Sequence, residues 1–555
     1  MWHMHQPEYR DLRIDEYQLP WTYLHGIKDY VDMVAHLEQN PDACAVFNFA
    51  PVLLDQLQDY TKQINDYLNL GTPIRDPLLS ALAEPVLPVD EQSCKKLIND
   101  CLRANRATII DRFEPYKKLA DIANTILDQP DMLIYIEDQY IYDLLTWYHL
   151  GWMAETVRRE NEVIKQLISK GNNFSLHDRH QLLDVIGELI GSIIPRYREL
   201  AIQGRIELAM SPYAHPIIPL LLDIKSTNEA MPDAHLPILE AYPGGKQRAH
   251  WHLEKGIRTF QQHFGISPAG CWPSEGSLSN DTLRLLGEAG FKWAASGGTV
   301  LHNSINQSAT DDIDCIHQAY YFDNNNTACF FRDDGLSDQI GFNYSDWHAD
   351  DAVANLVHHL ENIAAACGEN SDSIVSIILD GENAWEYYPE NGYYFLNALY
   401  QQLGSHPDIN LTTYKQYLDS QPQITSLDSL VAGSWVYGTF STWIGDADKN
   451  RAWDMLGDAK HAFDESIRSG KIKGNRLEKA EHQLAVCEGS DWFWWFGDYN
   501  PADTVSDFEH LFRLNLSILY RIIDQEPPDY LSQTFTHGSG APAMGGVMRP
   551  GQENT

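Results

Sequence analysis

Two patterns of apolar residues alternate along the chain. Short apolar runs of the kind that form buried strands are followed by longer segments in which apolar side chains recur as on one face of a helix. Strands that alternate with helices in this way pack as a parallel sheet or barrel, so the sequence predicts an α/β fold. The clearest strand patterns lie at residues 45–50, 204–210, 291–295, 328–332 and 374–380, and the clearest helical patterns at 246–264, 280–289 and 350–366.

Helical sequence interrupts this alternation twice. From about residue 55 to 203 long amphipathic segments dominate, which predicts a helical insertion between two strands. We expect the α/β unit to span 1–395 with this insertion included, and a helical domain to follow at 396–535. Residues 536–555 are rich in Gly and Pro without periodicity and are predicted to form a disordered tail.

Acidic side chains follow the last of the strand patterns. The apolar segment 374–379 leads into Asp380 and Glu382, which fall on the same face of an extended chain. A further acid, Glu275, lies 105 residues before Asp380 in the stretch Gly-Cys-Trp-Pro-Ser-Glu-Gly-Ser, and tryptophan accompanies both acidic stretches. In parallel α/β folds the carboxyl ends of strands carry the chemistry. Two carboxylates at such ends beside tryptophan favour the cleavage or transfer of sugars.

The composition narrows the class of partner. With 40 Lys and Arg against 78 Asp and Glu, the 555-residue chain has a formal net charge of −38. This charge disfavours binding to nucleic acid or to an anionic membrane and fits a neutral substrate. Hydrophobic residues at 43% and charged residues at 21% are ordinary for a globular protein with more than one domain. The 15 Trp and 28 Tyr serve core packing, sugar stacking or both.

Cysteine spacing and the absence of targeting sequence add further expectations. The eight cysteines are scattered without a C-x-x-C pair, which argues against a zinc ribbon and against a disulfide framework. The sequence contains no apolar run of about 18 residues, so no membrane span is predicted. The N-terminus lacks a basic segment followed by an apolar stretch, so no signal peptide is predicted and a cytoplasmic location is the default expectation.

Several polar residues have roles that the local pattern leaves open. His3 and His5 alternate along a short extended segment and therefore point the same way. Glu207 lies in a predicted strand, either as a surface charge or as an inward polar group at the mouth of a barrel. His215 sits in a proline-flanked turn, where a structural hydrogen bond and a ligand contact fit equally well.

Five separated stretches together resemble glycoside hydrolase family 57, which includes α-amylases, amylopullulanases, branching enzymes and 4-α-glucanotransferases. Each stretch alone is a weak signal, and their order and spacing make the set specific. The resemblance covers nearly the whole chain apart from the tail. The stretches are His5-Gln-Pro7, Gly204-Arg-Ile-Glu-Leu208, Gly270-Cys-Trp-Pro-Ser-Glu275, Leu379-Asp-Gly-Glu-Asn383, and Phe440-Ser-Thr-Trp-Ile-Gly445 with Ser490-Asp-Trp492.

The resemblance implies a (β/α)7 barrel, incomplete relative to the eight-stranded TIM barrel, with a C-terminal helical domain that completes the cleft. It also implies a retaining mechanism on α-glucosidic bonds, with Glu275 as the nucleophile and Asp380 as the general acid/base. It implies neither a cofactor nor a metal. The forms of the two catalytic motifs are closest to the amylase and amylopullulanase branch, and glycogen or maltodextrin is the expected substrate. The implied glucan contacts are His5, Glu207, His215, Trp272, Trp443, Asp491 and Trp492.

The proposed chemistry explains why two acids are needed. In a retaining glycosidase one carboxylate attacks the anomeric carbon, while the other protonates the leaving oxygen and then activates water. Two partly buried carboxyls at short range repel each other, so one pKa is raised and that group starts as the acid. Asp380 is the leading candidate for this role by motif, and Glu382 is the rival on the same strand face.

Other functions remain open at this level. The same catalytic pair would serve a 4-α-glucanotransferase or a branching enzyme, because both pass through the same glycosyl-enzyme. A zinc-dependent barrel of the α-mannosidase or polysaccharide-deacetylase kind could use His3 and His5. A non-catalytic glucan-binding protein is the third alternative. Bond specificity, chain length and oligomeric state are not determined by the sequence.

Overall fold

The computed structural model describes residues 1–87, 90–307, 315–323, 325–368, 372–497, 499–536 and 538. Most of the predicted tail at 536–555 lies outside these residues. The strands are β1 (Trp2–Met4), β2 (Arg10–Asp11), β3 (Glu16–Tyr17), β4 (Ala45–Phe49), β5 (Ile206–Met210), β6 (Gly270–Cys271), β7 (Trp293–Gly297), β8 (Tyr320–Phe322), β9 (Ala328–Arg332), β10 (Leu379–Asp380) and β11 (Thr425–Leu427).

A parallel-dominated sheet forms the centre of the molecule, in the strand order β10-β1-β4-β5-β6-β7-β9-β8-β11. Its neighbouring strands run parallel, except that β8 is antiparallel to β9. The predicted α/β fold with a parallel sheet is therefore confirmed. Ser376 adds a parallel bridge to Arg332 in β9, while β10 pairs with β1. The segment that carries Asp380 thus has a neighbouring strand on either side.

Burial explains why several strands could be located from sequence. Every residue of β4, β5, β7 and β9 is buried. A parallel strand packs on both of its faces, so its sequence is apolar almost throughout instead of alternating. By contrast β8 and β11 were not predicted, because strands of three residues are too short to show a pattern. The expectation that the Asp380 strand is the last member of the sheet is wrong, since β11 follows it.

Helices make up most of the remaining structure. Those near the N-terminus are α1 (Trp21–His25) and α2 (Val31–Gln39), and those between β4 and β5 are α3 (Pro51–Leu70), α4 (Pro77–Ala83), α5 (Glu91–Asp100), α6 (Glu114–Asp128), α7 (Asp138–Gly151), α8 (Glu155–Glu160), α9 (Glu162–Lys170) and α10 (Leu176–Ile202). Those that follow are α11 (Ile218–Leu222), α12 (Thr227–Ala230), α13 (Gly245–Phe264), α14 (Asn280–Glu288), α15 (Gly298–Gln307), α16 (Asp334–Asp338), α17 (Ala349–Cys367), α18 (Tyr393–Gly404), α19 (Tyr414–Asp419), α20 (Ala447–Arg468), α21 (Asn475–Cys487), α22 (Ser490–Trp495) and α23 (Ala502–Ile522).

Local sequence sets where several of these helices begin. Pro51 stands at the first position of α3, where its missing N–H costs no hydrogen bond. Asp76 caps α4 by accepting hydrogen bonds from backbone N–H groups of the first turn. Ser175 and Asp178 form a reciprocal capping box at the start of α10. These three helices, α3, α4 and α10, belong to the helical region that the sequence predicted at about 55–203.

The C-terminal helices pack on one another and reach back to the helices after β4. Helix α23 contacts α20, α21 and α22. Arg103, just after α5, forms an ion pair with Asp507 on α23, with Nη2 and Oδ2 2.7 Å apart. This pair joins two regions separated by 404 residues in the chain. Within the described ranges, the structure contains no helix long and apolar enough to cross a membrane.

Gly270 is predicted to be intolerant of any side chain, because the first atom of one would collide with Trp293. A Cβ at position 270 would lie 1.7 Å from the Trp293 ring, which is held between β6 and β7. We expect Gly270→Ala to lower the free energy of unfolding by about 1–3 kcal/mol, measured by denaturant unfolding. Gly335→Ala in α16 is the matched control, since its Cβ would meet its nearest atom at 3.5 Å. Equal stability of the two variants would contradict the proposed collision.

Candidate active site

A cleft of about 840 Å³ opens at the carboxyl ends of the parallel strands. One side is formed by residues that directly follow β1, β5, β6 and β10, and the other by residues 96–106 together with α23. This is the edge at which parallel α/β folds place their active sites. The predicted site residues that line it are His5, His215, Glu275, Asp380 and Asp491.

Glu275 stands on a tight turn directly after β6. Its φ of 58° lies in the left-handed region, which costs energy for a residue other than glycine. Both carboxylate oxygens accept a hydrogen bond, Oε1 from Ser490 Oγ and Oε2 from Trp435 Nε1, each at 3.1 Å. The Glu275 backbone carbonyl also accepts from the Trp435 N–H at 3.1 Å. Two distant side chains therefore hold this carboxylate in one orientation.

His215 extends the hydrogen-bond chain that ends on Glu275. Its Nδ1 lies 2.9 Å from Ser490 Oγ. Because Ser490 donates its single hydroxyl hydrogen to Glu275, we assign the hydrogen of this second contact to His215 Nδ1. Burial, together with the charges of His5 and His3, lowers the pKa of His215 well below its usual value, so the ring is neutral. Its Nε2 is an acceptor without a partner among the described residues.

Asp380 and Glu382 differ in how they are held. Asp380 Oδ2 accepts a hydrogen bond from Asn383 Nδ2 at 2.8 Å. Glu382 is more deeply buried, at 3% exposure. Its Oε1 accepts from the His5 backbone N–H and from Gln6 Nε2, both at 3.3 Å. Both acids line the cleft, but Glu382 is engaged by the segment that follows β1.

Burial raises the pKa of all three acids. Burial first, and then the charges of Asp491 and Asp380, raise the pKa of Glu275 to about 8. Burial also raises the pKa of Asp380 to about 6, although the hydrogen bond from Asn383 acts in the opposite direction. Burial and the charge of Asp380 raise the pKa of Glu382 well above its usual value. The ligand-free cleft therefore binds protons that free carboxylates would have lost at neutral pH.

A stack of imidazole rings lies beside these acids. The His5 and His215 ring centroids are 3.9 Å apart, and those of His3 and His215 are 5.0 Å apart. Burial, followed by the charge of His5, lowers the pKa of His3 to about 3. His5 Nε2 lies 2.9 and 3.0 Å from the two carboxylate oxygens of Asp491. This contact ties the segment after β1 to α22.

The same residues include a possible metal-binding group. One ligand atom from each of His5, His215 and Asp491 lies within 4.8 Å of the others. This set differs from the zinc alternative based on His3 and His5, because His3 Nδ1 is bonded to Asn48 Oδ1 at 2.7 Å. The chemistry of the three donors suits a divalent ion. The hydrogen bonds of His5 to Asp491 and of His215 to Ser490 also fit a site that binds the hydroxyl groups of a sugar.

Glu207 lies away from the cleft. It is buried near the amino end of β5, with Oε1 accepting from Trp293 Nε1 at 2.7 Å and Oε2 from the Lys415 N–H at 2.9 Å. Two options for Glu207 were left open by the sequence, a surface charge or an inward polar group at the mouth of a barrel. The structure shows neither, because Glu207 is buried at the opposite, amino end of the strand. The resemblance implied a glucan contact for Glu207, and Glu207 is not among the residues that line the cleft. Glu207 instead ties β5 to β7 and α19.

The tryptophans around the cleft also differ from the prediction. Three predicted contacts are buried in the core and are not part of the cleft lining: Trp272, Trp443 and Trp492. Trp272 packs edge-on against Trp435, with centroids 5.4 Å apart, and so supports the residue that bonds Glu275. The tryptophans that line the cleft are Trp21, Trp494 and Trp495, and Tyr9 and Phe508 also line it. Trp494 and Trp495 lie just after the stretch Ser490-Asp-Trp492, and they were not among the predicted glucan contacts.

Sequence reasoning missed the two hydrogen-bond donors of Glu275. Ser490 directly precedes Asp491 in a recognised stretch, and this adjacency was the available signal. Trp435 lies in an irregular segment without periodicity. That segment reaches Glu275 because Gly433 forms an antiparallel bridge with Leu278, just beyond the Glu275 turn. No local pattern marks such a contact.

Comparison with known proteins agrees with the geometry. Residues 1–427 match the profile of the family described as Glycosyl hydrolase family 57. No curated protein sequence matches the chain.

Solved structures share the fold at low sequence identity. A branching enzyme of this family from Thermococcus kodakaraensis, solved in complex with glucose, aligns with a TM-score of 0.55 at 16% identity, over 94% of this chain and 88% of that chain. A branching enzyme of Pyrococcus horikoshii aligns with a TM-score of 0.54 at 16% identity, over 99% and 98%. An α-amylase of Thermotoga maritima aligns with a TM-score of 0.57 at 12% identity, over 94% and 92%.

Replacing Glu275 by glutamine is predicted to stabilise the protein, and only at high pH. An acid with a folded-state pKa of about 8 and an unfolded value of 4.5 contributes stability that is present below the unfolded value and lost as the pH rises through 8. Glu275→Gln removes that loss. Its melting temperature should match the wild type near about pH 5 and exceed it by roughly 1–3 °C near about pH 9.

Differential scanning fluorimetry across this pH range makes the measurement. Glu288→Gln, at an exposed position on α14, is the matched control and should show no such gain. A gain for Glu275→Gln that is the same at both pH values would contradict the predicted burial effect.

Proposed function

The chain belongs to glycosyl hydrolase family 57 and is an enzyme that acts on glycosidic bonds; from this premise we propose a retaining mechanism on α-glucans, with Glu275 as nucleophile and Asp380 as general acid/base. One observation carries the proposal. The Glu275 carboxylate is fixed at both oxygens in a cleft where Asp380 is near enough for its charge to raise the pKa of Glu275.

The reaction follows from these two positions. A Glu275 oxygen attacks the anomeric carbon while Asp380 gives its proton to the glycosidic oxygen, so that the C–O bond breaks and a glycosyl ester forms. Asp380, now a carboxylate, then takes a proton from water or from a sugar hydroxyl. The activated oxygen attacks the anomeric carbon and releases Glu275. Two displacements return the original anomeric configuration.

The pKa values of the two acids in the cleft are in the opposite order to the one that their proposed roles require. Glu275, with a pKa raised to about 8 against about 6 for Asp380, is the more readily protonated of the two, whereas its role requires the carboxylate. After burial, Asp491 is the main cause of this rise. The donors Ser490 and Trp435 already favour the charged form of Glu275.

Asp380 is preferred to Glu382 as the acid/base on geometric grounds. Asp380 ends β10 with only Asn383 bonded to its side chain in the described residues. Glu382 is 3% exposed and is bonded to the His5 N–H and to Gln6. A proton shuttle must reach substrate and water in both steps. Glu382 is better suited to hold the segment after β1 in place.

The substrate proposal rests on the cleft lining. Trp21, Trp494 and Trp495 offer aromatic surface of the kind that stacks on sugar rings, and His5, His215 and Asp491 offer polar atoms for hydroxyl groups. The net charge of −38 suits a neutral polymer. The named activities of the similar structures, branching enzyme and α-amylase, point to an α-glucan. We propose glycogen-like or maltodextrin substrates.

Glucan transfer is the second candidate activity. Two of the similar structures described above are branching enzymes. The cleft is bordered by residues 96–106 and by α23, joined through the Arg103–Asp507 ion pair. In a glucan-transferring enzyme an acceptor sugar would take the place of water in the second displacement. Hydrolysis of the α-amylase kind remains the first proposal.

We also propose that the sheet closes as a seven-stranded barrel. The parallel bridge between Ser376 and Arg332 supports this, because it joins the segment of β10 to β9 while β10 pairs with β1. The strands of the ring are then β1, β4, β5, β6, β7, β9 and β10. The helical insertion lies between β4 and β5. The catalytic domain extends to about residue 427 instead of 395, since β11 joins the sheet, and the C-terminal helical domain follows.

Chemical rescue with azide tests the two catalytic roles on α-maltotriosyl fluoride, whose leaving group needs no acid. Glu275→Ala should lose activity by on the order of 10⁴-fold or more, and azide should yield the β-azide, because azide replaces the missing nucleophile directly. Asp380→Ala should lose about 10²–10⁴-fold on maltodextrin but stay active on the fluoride, and azide should yield the α-azide. Product configuration is read by NMR.

Glu382→Gln is the matched variant for the rival acid. It should keep acid-dependent activity on maltodextrin. If Glu382→Gln, and not Asp380→Ala, shows the fluoride-tolerant pattern with an α-azide product, the acid/base assignment is wrong. If Glu275→Ala yields an α-azide, the nucleophile assignment is wrong.

Maltoheptaose with and without chelator separates the remaining activities. Short maltodextrins alone would indicate hydrolysis, and products longer than the input would indicate transfer. We expect either outcome to resist chelation, because His5 bonds Asp491 and His215 bonds Ser490 directly. Loss of activity on chelation, restored by zinc, would favour the metal-dependent alternative instead. Chromatography of the products makes the measurement.

A further inference from the structure

A second group of possible metal ligands lies outside the cleft lining. It consists of Cys315, His317 and Cys367, and one ligand atom from each lies within 4.8 Å of the others. Cys315 and His317 precede β8, whereas Cys367 ends α17. The cysteines are 52 residues apart, so their spacing resembles no zinc motif and did not predict the site. Both are present as thiols.

The imidazole of the group is oriented by a carboxylate. His317 Nε2 lies 2.9 Å from Asp333 Oδ2. Such a contact places the ring hydrogen on Nε2 and leaves Nδ1 as the ligand atom, which is the arrangement found around protein-bound metals. Asp333 is itself held, because its Oδ1 accepts from the Leu336 N–H and its own N–H donates to the Ser376 carbonyl. Asp333, which orients His317, is therefore fixed by hydrogen bonds to α16 and to the segment before β10.

The donor set and its exposure suit a thiophilic cation. Two thiolates and one imidazole are the ligands that zinc prefers over calcium or magnesium. All three side chains are partly exposed, so an ion has access. We propose that Cys315, His317 and Cys367 bind a zinc ion, with a water molecule in the fourth position. The proposed zinc joins two parts of the chain and takes no part in the glycosidic chemistry.

The location indicates what the ion does. The His317 carbonyl accepts a hydrogen bond from the Ile374 N–H at 2.9 Å, at the start of the segment that leads to Asp380. An ion at Cys367 would tie the end of α17 to this same place. Since the ion binds the folded chain, it stabilises that chain by an amount that grows with the free ion concentration relative to its Kd. The proposed site therefore fixes the base of the strand that carries Asp380.

Cobalt substitution tests the site independently of activity. Metal-free protein kept reduced with a phosphine is titrated with Co²⁺, and absorption is recorded, because thiolate-to-cobalt charge transfer appears only when cysteine is a ligand. One equivalent should produce the band, and added Zn²⁺ should abolish it. The group formed by His5, His215 and Asp491 contains no thiolate and cannot produce it. Cys315→Ser and Cys367→Ser should each lose the band.

Matched variants separate ligation from general damage. Cys44→Ser, at another partly exposed cysteine, should keep the band in full. Asp333→Asn, which retains a helix-capping oxygen, should keep the band but weaken Co²⁺ binding by about 10-fold or more. The melting temperature without metal shows whether each variant is folded. Absence of the band in the reduced wild type, or its survival in Cys367→Ser, would overturn the proposal.

Discussion

A buried carboxylate needs hydrogen-bond donors, and for Glu275 these come from the C-terminal part of the chain. Trp435 is 160 residues away in sequence and Ser490 is 215 residues away. Without them the acid would lose water on burial and gain nothing in return. The C-terminal helices must therefore dock on the sheet for the Glu275 turn to be tolerated. Folding of the two regions and assembly of the cleft are in this sense one event.

The buried acids of the cleft lower the stability of the folded chain. Burial raises the pKa of Glu275 and of Glu382, and the Glu275 backbone adopts a left-handed φ that costs energy for a residue other than glycine. A sequence selected for stability alone would place apolar or neutral groups here. The arrangement makes sense for an enzyme, because carboxyls that share and move a proton are what glycosidic chemistry requires. The surrounding core, buried throughout β4, β5, β7 and β9, compensates for this cost.

The cleft also shows why residue type alone does not identify a ligand contact. Glu207 and Trp272 belong to stretches that resemble the family, yet both are packing residues in this structure. Glu207 accepts a hydrogen bond from Trp293 Nε1, and Trp272 packs edge-on against Trp435. A motif residue can thus be required because it positions another residue. Membership of a motif therefore does not show whether a residue contacts the ligand or positions a neighbouring side chain.

The α/β class, the main strands, the long helices and the positions of Glu275 and Asp380 at strand ends could be predicted from the amino-acid sequence. These features could be predicted because periodicity, capping and strand burial act over a few residues. Three features became visible only in the folded chain. These are which tryptophans line the cleft, the position of Glu207 at the far end of the sheet, and the approach of Cys315 to Cys367. Such contacts join residues far apart in the chain, and no local pattern encodes the packing that brings them together.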